Sequence, residues 1–122
     1  MIEGFEDLEC YKAARELRRK ASALCRNLPP DERFRLVDQL IRSSRSVTAN
    51  IAEGFGRHHH QDHLQFLRNA RGSLYETMDH FHTALDDAYI SEEEHNHLVE
   101  EAKTALRILN GYIRYIRSCV EK

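Results

Sequence analysis

Long apolar runs are missing from this chain, and so are the residues that build disulfide frameworks and loop-rich β folds. No hydrophobic stretch approaches the roughly 18 residues of a membrane span. The acidic start, MIEGFEDLE, is unlike the basic head of a secretory signal. No membrane association is expected, and the cytoplasm is the expected location. Only three cysteines occur, Cys10, Cys25 and Cys119. Cys10 and Cys25 fall on one predicted helix about 22 Å apart, far beyond the roughly 7 Å that a disulfide spans, so reduced thiols are expected. Two prolines and five glycines are too few for a turn-rich β architecture. Net charge is only −2, so nucleic-acid binding would need local basic patches. A glycine-rich phosphate loop, a nucleophile elbow and an HExxH metal motif are all absent, and no catalytic residues, cofactor or metal are expected.

What remains is helical periodicity in a chain of 122 residues, the size of one domain spanning 1–122. The first predicted helix, from about Asp7 to Asn27, carries Cys10, Ala14, Leu17, Ala21, Leu24 and Leu28 at steps of four and three. Pro29-Pro30 ends it, and Asp31 is expected to cap the second helix. That helix carries Phe34, Val37, Ile41, Ser44, Val47, Ile51 and Phe55, with Gly54 and Gly56 as its stop. A third begins near Gln61 with Leu64, Leu67, Leu74, Met78, Phe81, Leu85 and Tyr89. Ser91 and Glu94 form a capping box that opens a fourth, with Ala102, Leu106, Leu109, Ile113, Ile116 and Val120. Nothing alternates with period two. The expected fold is all-α, an antiparallel up-down-up-down four-helix bundle.

Three details go beyond the pattern. Gly72 and Gly111 lie nearly equidistant from the turn at Ile90-Ser91, which predicts a close helix approach there or a large side chain filling the gap. The second helix holds a run of small residues (Ser43, Ser44, Ser46, Thr48, Ala49, Asn50), suited to close packing or to hydroxyl bonds back to the helix. The last helix carries a second apolar stripe, Leu98, Ala105, Ile108, Tyr112, Tyr115 and Cys119, wider than a bundle core requires. Ile108, Tyr112 and Tyr115 are therefore expected at an oligomer interface. Two alternatives are a more central position for that helix and a fold-over of the Met1–Phe5 segment.

Charged residues between Asp86 and Glu101 are all acidic, whereas Arg42, Arg45, Arg57, Arg114 and Arg117 are expected to gather at the opposite end. Those five are the candidate nucleic-acid contacts, since guanidinium suits phosphate. Lys12, Arg15, Arg18 and Arg19 add a basic run on the first helix. The plainer reading is surface solvation and complementation of the helix dipoles. His58, His59, His60 and His63 cluster at the start of the third helix, and His59 and His63 are one turn apart. A zinc site needs three or four ligands, so without symmetric copies this is an exposed, weakly chelating turn. Glu92-x-x-His95 and Glu94-x-x-His97 mimic di-iron motifs, but they fall in the exposed first turns of the last helix.

Several segments carry a family likeness: FEDLECYKAAREL at 5–17, ERFRLVDQLIRSSRSVTANIAEGFGR at 32–57, FLRNARGSL at 66–74, YISEEE at 89–94 and LNGYI at 109–113. Together they make the chain resemble the bacterial four-helix bundle proteins often labelled 23S rRNA intervening-sequence protein. Asn50-Ile51-Ala52-Glu53-Gly54 with Gly56-Arg57 is the most specific part. The resemblance implies an up-down bundle assembled as a ring-like homopentamer, with nucleic-acid or protein partners. One related branch, the accessory variability protein of diversity-generating retroelements, works with a reverse transcriptase and its RNA. No catalytic residues carry over. This chain departs from the pattern with Tyr11 for tryptophan, Thr48 for a frequent proline, and histidines after Arg57 where serine and lysine are usual. Two functions follow as expectations: a non-enzymatic oligomeric scaffold or adaptor for a protein partner, or a nucleic-acid-binding accessory protein using a basic end of the bundle.

Overall fold

The computed structural model describes residues 1–120. Four helices account for most of them: α1 Glu9–Cys25, α2 Leu36–Phe55, α3 His60–Asp86 and α4 Glu92–Val120, with short 3-10 turns at Phe5–Asp7 and Pro30–Glu32. No strand occurs among the described residues. Each helix packs on its two neighbours in a closed ring, α1 on α2, α2 on α3, α3 on α4 and α4 on α1. Side-chain pairs between neighbours run in opposite order along the chain. Ser46 meets Ser73 while Ser43 meets Thr77, and Arg71 meets Asn110 while His82 meets His95. Those pairings make α2, α3 and α4 antiparallel. The centre of the ring is filled by Leu17, Leu40, Ile51, Leu74, Phe81 and Leu109, each no more than 2% exposed.

The start of α2 differs from expectation. Pro29 and Pro30 end α1, but Asp31 sits inside a 3-10 turn and α2 begins only at Leu36. Glu32 takes the capping role instead. Its buried carboxylate accepts the Leu36 amide at 3.3 Å and the Tyr89 hydroxyl at 2.7 Å, tying the α1–α2 turn to the α3–α4 turn. The Tyr89 bond, with the Leu36 amide assisting, holds the Glu32 carboxyl below its ordinary range. Val47 and Ile51 face inward as expected, but Leu36 and Leu40 take the core positions expected of Val37 and Ile41, which are half-buried, and Phe34 is left in the turn, 84% exposed.

The small residues of α2 serve both expected purposes. Ser44 and Thr48 return their hydroxyls to the carbonyls of Leu40 and Arg45 at 2.7 and 3.1 Å. Ser43 and Ser46 face α3, where Thr77 and Ser73 lie 2.9 and 2.8 Å away. Gly54 is not the stop expected of it: it lies buried within α2, which ends at Phe55. A Cβ there would stand 2.9 Å from Phe66 Cβ and 3.0 Å from His63 Cδ2, so only glycine lets α3 cross this closely. At the far end of α3, Ala88 adopts a left-handed φ of 62°. The Tyr89 amide reaches back to Ala84 and the Ala88 amide to Leu85, both at 2.9 Å, the Schellman pattern normally built on glycine. Ser91 accepts the Glu94 amide at 3.1 Å, opening α4 as expected.

The glycine pair is a correction. Arg71 and Asn110 do bond at 3.1 Å, so Gly72 and Gly111 share a height. Each glycine follows the contacting residue, however, and one residue turns the helix about 100° away from it. A Cβ on Gly72 would meet nothing within 4 Å, and one on Gly111 only the Arg114 guanidinium at 3.7 Å.

Candidate functional site

The second apolar stripe of α4 is divided by the fold. Leu98 and Ala105 belong to the core, at 5% and 2% exposure, so the surplus is narrower than its sequence suggests. Its C-terminal half stays outside the core. Ile108, Tyr112 and Cys119 are half-buried, and Tyr115 is 61% exposed. The Tyr112 and Tyr115 rings stack with centroids 6.2 Å apart, and Tyr112 also meets the His63 ring edge at 5.4 Å. Burial, with Cys10, Tyr115 and Cys119 nearby, pushes the Tyr112 phenol up to about 12. The N-terminal segment does not cover this stripe. Phe5 packs on Tyr11 at 4.9 Å, and its 3-10 turn contacts α1 and α2.

The five candidate arginines do not meet at one end of the bundle. Arg57 follows the α2 C-terminus, 3.4 Å from Glu53 and 4.7 Å over the Phe66 ring. Arg114 and Arg117 project from exposed positions in the last turns of α4. Arg42 and Arg45 lie well back along α2, and Arg42 is 3.9 Å from Asp38. Arg45 instead joins α1 residues in a cleft of about 340 Å³ lined by Arg18, Arg19, Ser22, Arg26 and Arg45. Here Thr48 matters: its hydroxyl accepts the Arg18 guanidinium at 3.0 Å and lies 3.1 Å from the Arg45 carbonyl. Arg26 was not visible as part of any cluster, because its neighbour Arg45 is nineteen positions away in the chain. The acids segregate across α1. Glu16, Glu100 and Glu101 line the α1–α4 cleft with Ala13 and Leu17, and Lys20 pairs with Glu101 there.

The histidine cluster separates as well. His58, His59 and His60 are exposed, whereas His63 is 6% exposed between Phe55 and Tyr112. His63 Nε2 has no hydrogen-bond partner. Burial, and secondarily His60, holds this imidazole below its ordinary pKa. His59 and His63 therefore do not face a common ligand. His95 reaches His82 at 2.8 Å across the α3–α4 contact, and His97 lies 3.3 Å from Lys20. Among the described residues no group of three or more His, Cys, Asp or Glu side chains is arranged to hold a metal ion. Nor is any helix long and apolar enough to cross a membrane.

A family model described as 23S rRNA-intervening sequence protein matches residues 6–111. The chain is similar to a crystal structure titled as a protein with unknown function from the S23 ribosomal protein family of Bacteroides thetaiotaomicron. Identity is 21% and the TM-score 0.78, over 85% of this chain and 97% of that one. At that identity the likeness shows the shared fold. No curated protein matches the chain.

Proposed function

As the chain belongs to the 23S rRNA-intervening sequence protein family, we propose that it is a non-enzymatic, self-associating four-helix scaffold or adaptor that presents a protein partner with a repeated surface. One observation carries this reading: the stacked Tyr112–Tyr115 pair beside Ile108, with Tyr115 61% exposed on a single protomer. Large aromatic side chains gain most when a partner removes them from water. The interface is formed by Ile108, Tyr112 and Tyr115, and five subunits is the number that the family resemblance suggests. The three free cysteines suit a reducing cytoplasm.

Light scattering at micromolar concentration tests the assembly. The parent protein is expected as a closed oligomer, and Tyr115→Glu or Ile108→Glu as a folded monomer, since each places an unpaired charge at the contact. A strictly monomeric parent would overturn the reading.

A second reading, a nucleic-acid-binding accessory protein, is supported by the collected arginines. They cluster between α1 and α2 rather than at one end of the bundle.

A further inference from the structure

The α1–α2 cleft stands apart from the rest of the surface in the chemistry of its lining. Four of its five residues are arginines, the fifth is Ser22, and none is acidic or apolar. Every guanidinium stays charged at any physiological pH, so the cleft concentrates positive charge on a chain whose net charge is −2. Internal neutralisation is slight. Arg19 has only the exposed Glu16 at 3.7 Å. Among the described residues, neither Arg26 nor Arg45 has a carboxylate within 4 Å. Arg18 is held by a neutral partner, the Thr48 hydroxyl at 3.0 Å, which fixes its position without cancelling its charge.

The shape is a track rather than a point. Arg18 to Arg26 spans eight helical positions, about 12 Å along α1, enough to follow several successive phosphates of one strand. Arg45 is shared with an adjoining cleft lined by Gln39, Arg42, Ser43, Ser46, Ser73 and Glu76, which extends the row across α2.

We propose that the α1–α2 cleft formed by Arg18, Arg19, Arg26 and Arg45 binds the phosphodiester backbone of a nucleic-acid strand. This gives the second reading above its site and does not depend on self-association. Arginine clusters also recognise acidic peptide motifs, but a row of four arginines is matched best by a strand that carries a charge at every unit. The lining has no aromatic side chain on which a base could stack, so recognition is of the backbone and sequence preference is weak.

The test is fluorescence anisotropy with a labelled single-stranded RNA of about 20 nucleotides, and with DNA of the same sequence. Affinity is measured as salt rises from about 50 to 200 mM. Four phosphate contacts predict a log–log salt slope near −2.8 on a single strand, and Arg26→Ala/Arg45→Ala together should bring it to about −1.4 and weaken binding. Arg114→Ala/Arg117→Ala should leave both unchanged, with circular dichroism verifying the fold of every variant. If the α4 pair abolishes binding and the Arg26/Arg45 pair does not, the cleft assignment fails while the second reading survives. If no nucleic acid binds even at the lowest salt, both fail together. Efficient displacement of RNA by poly-glutamate at matched charge would replace nucleic acid with an acidic protein as the occupant.

Discussion

His63 is a titratable ring held where a proton is unwelcome. Its neighbours are the Phe55 and Tyr112 rings and the backbone against Gly54, and its Nε2 bonds to nothing. The folded pKa lies below the ordinary 6.5, with burial as the larger cause. An unfolded chain therefore takes up the proton first, so the stabilisation is full above pH 6.5 and is lost as pH falls from there through the lower folded value. The thermal midpoint should drop between pH 7 and 5 in the parent. In His63→Leu, which fills similar space without titrating, it should stay flatter, and equal slopes in the two proteins would refute the assignment. Glu32 acts in a separate window. Its depressed pKa makes its contribution present above 4.5 and lost below. Neither environment was legible in sequence. His63 read as one of four surface histidines because helical spacing does not say which member of HHHQDH turns inward. The partner that sets Glu32 is Tyr89, fifty-seven positions away.

Helices and their ends were more legible, because apolar spacing and punctuation act locally. Cys10, Ala14, Leu17, Ala21 and Leu24 are all buried on α1, and Ser91 caps α4. The misreadings share a cause, which is rotation about the helix axis. On α2 the inward residues ahead of Val47 are Leu36 and Leu40 rather than Val37 and Ile41, one position earlier, and Phe34 falls in the turn. A turn of one residue took Gly72 away from the contact that Arg71 makes. Two positions are consequently open to improvement. Gly72 lies in a helix interior with nothing near its missing Cβ, so Gly72→Ala should raise stability by about 1 kcal/mol. Ala88 sits at a φ of 62° that favours glycine, so Ala88→Gly should gain about 1 kcal/mol as well. Urea denaturation would read both, and a loss in either case would mean that the local geometry is otherwise.

For the molecule as a whole, the ring of four helices followed directly from four periodic segments and short connections. The distribution of charge did not. Sequence order suggested one acidic and one basic end, but antiparallel packing laid the arginines of α1 beside Arg45, and the acids of α4 on the other side of α1. The self-association proposed above is expected to leave a signature in the thiols. Cys10 and Cys25 are buried, and desolvation pushes Cys10 up to about 12, so both should resist a thiol reagent until the protein unfolds. Cys119 lies one turn beyond Tyr115 and is half-buried. It should be modified markedly faster in the Tyr115→Glu monomer than in the assembled parent. Equal rates would place the contact elsewhere. The closed ring also decides where attachments belong. Lys20 pairs with Glu101 while Cys10 lies near Tyr112, so α1 and α4 are antiparallel and the start of α1 and the end of α4 share the Tyr112 pole. A purification handle joined near the start of α1 or the end of α4 would crowd the surface under test. Grafting it into the exposed residues of the Asp86–Ser91 hairpin, at the far pole, leaves that surface unobstructed.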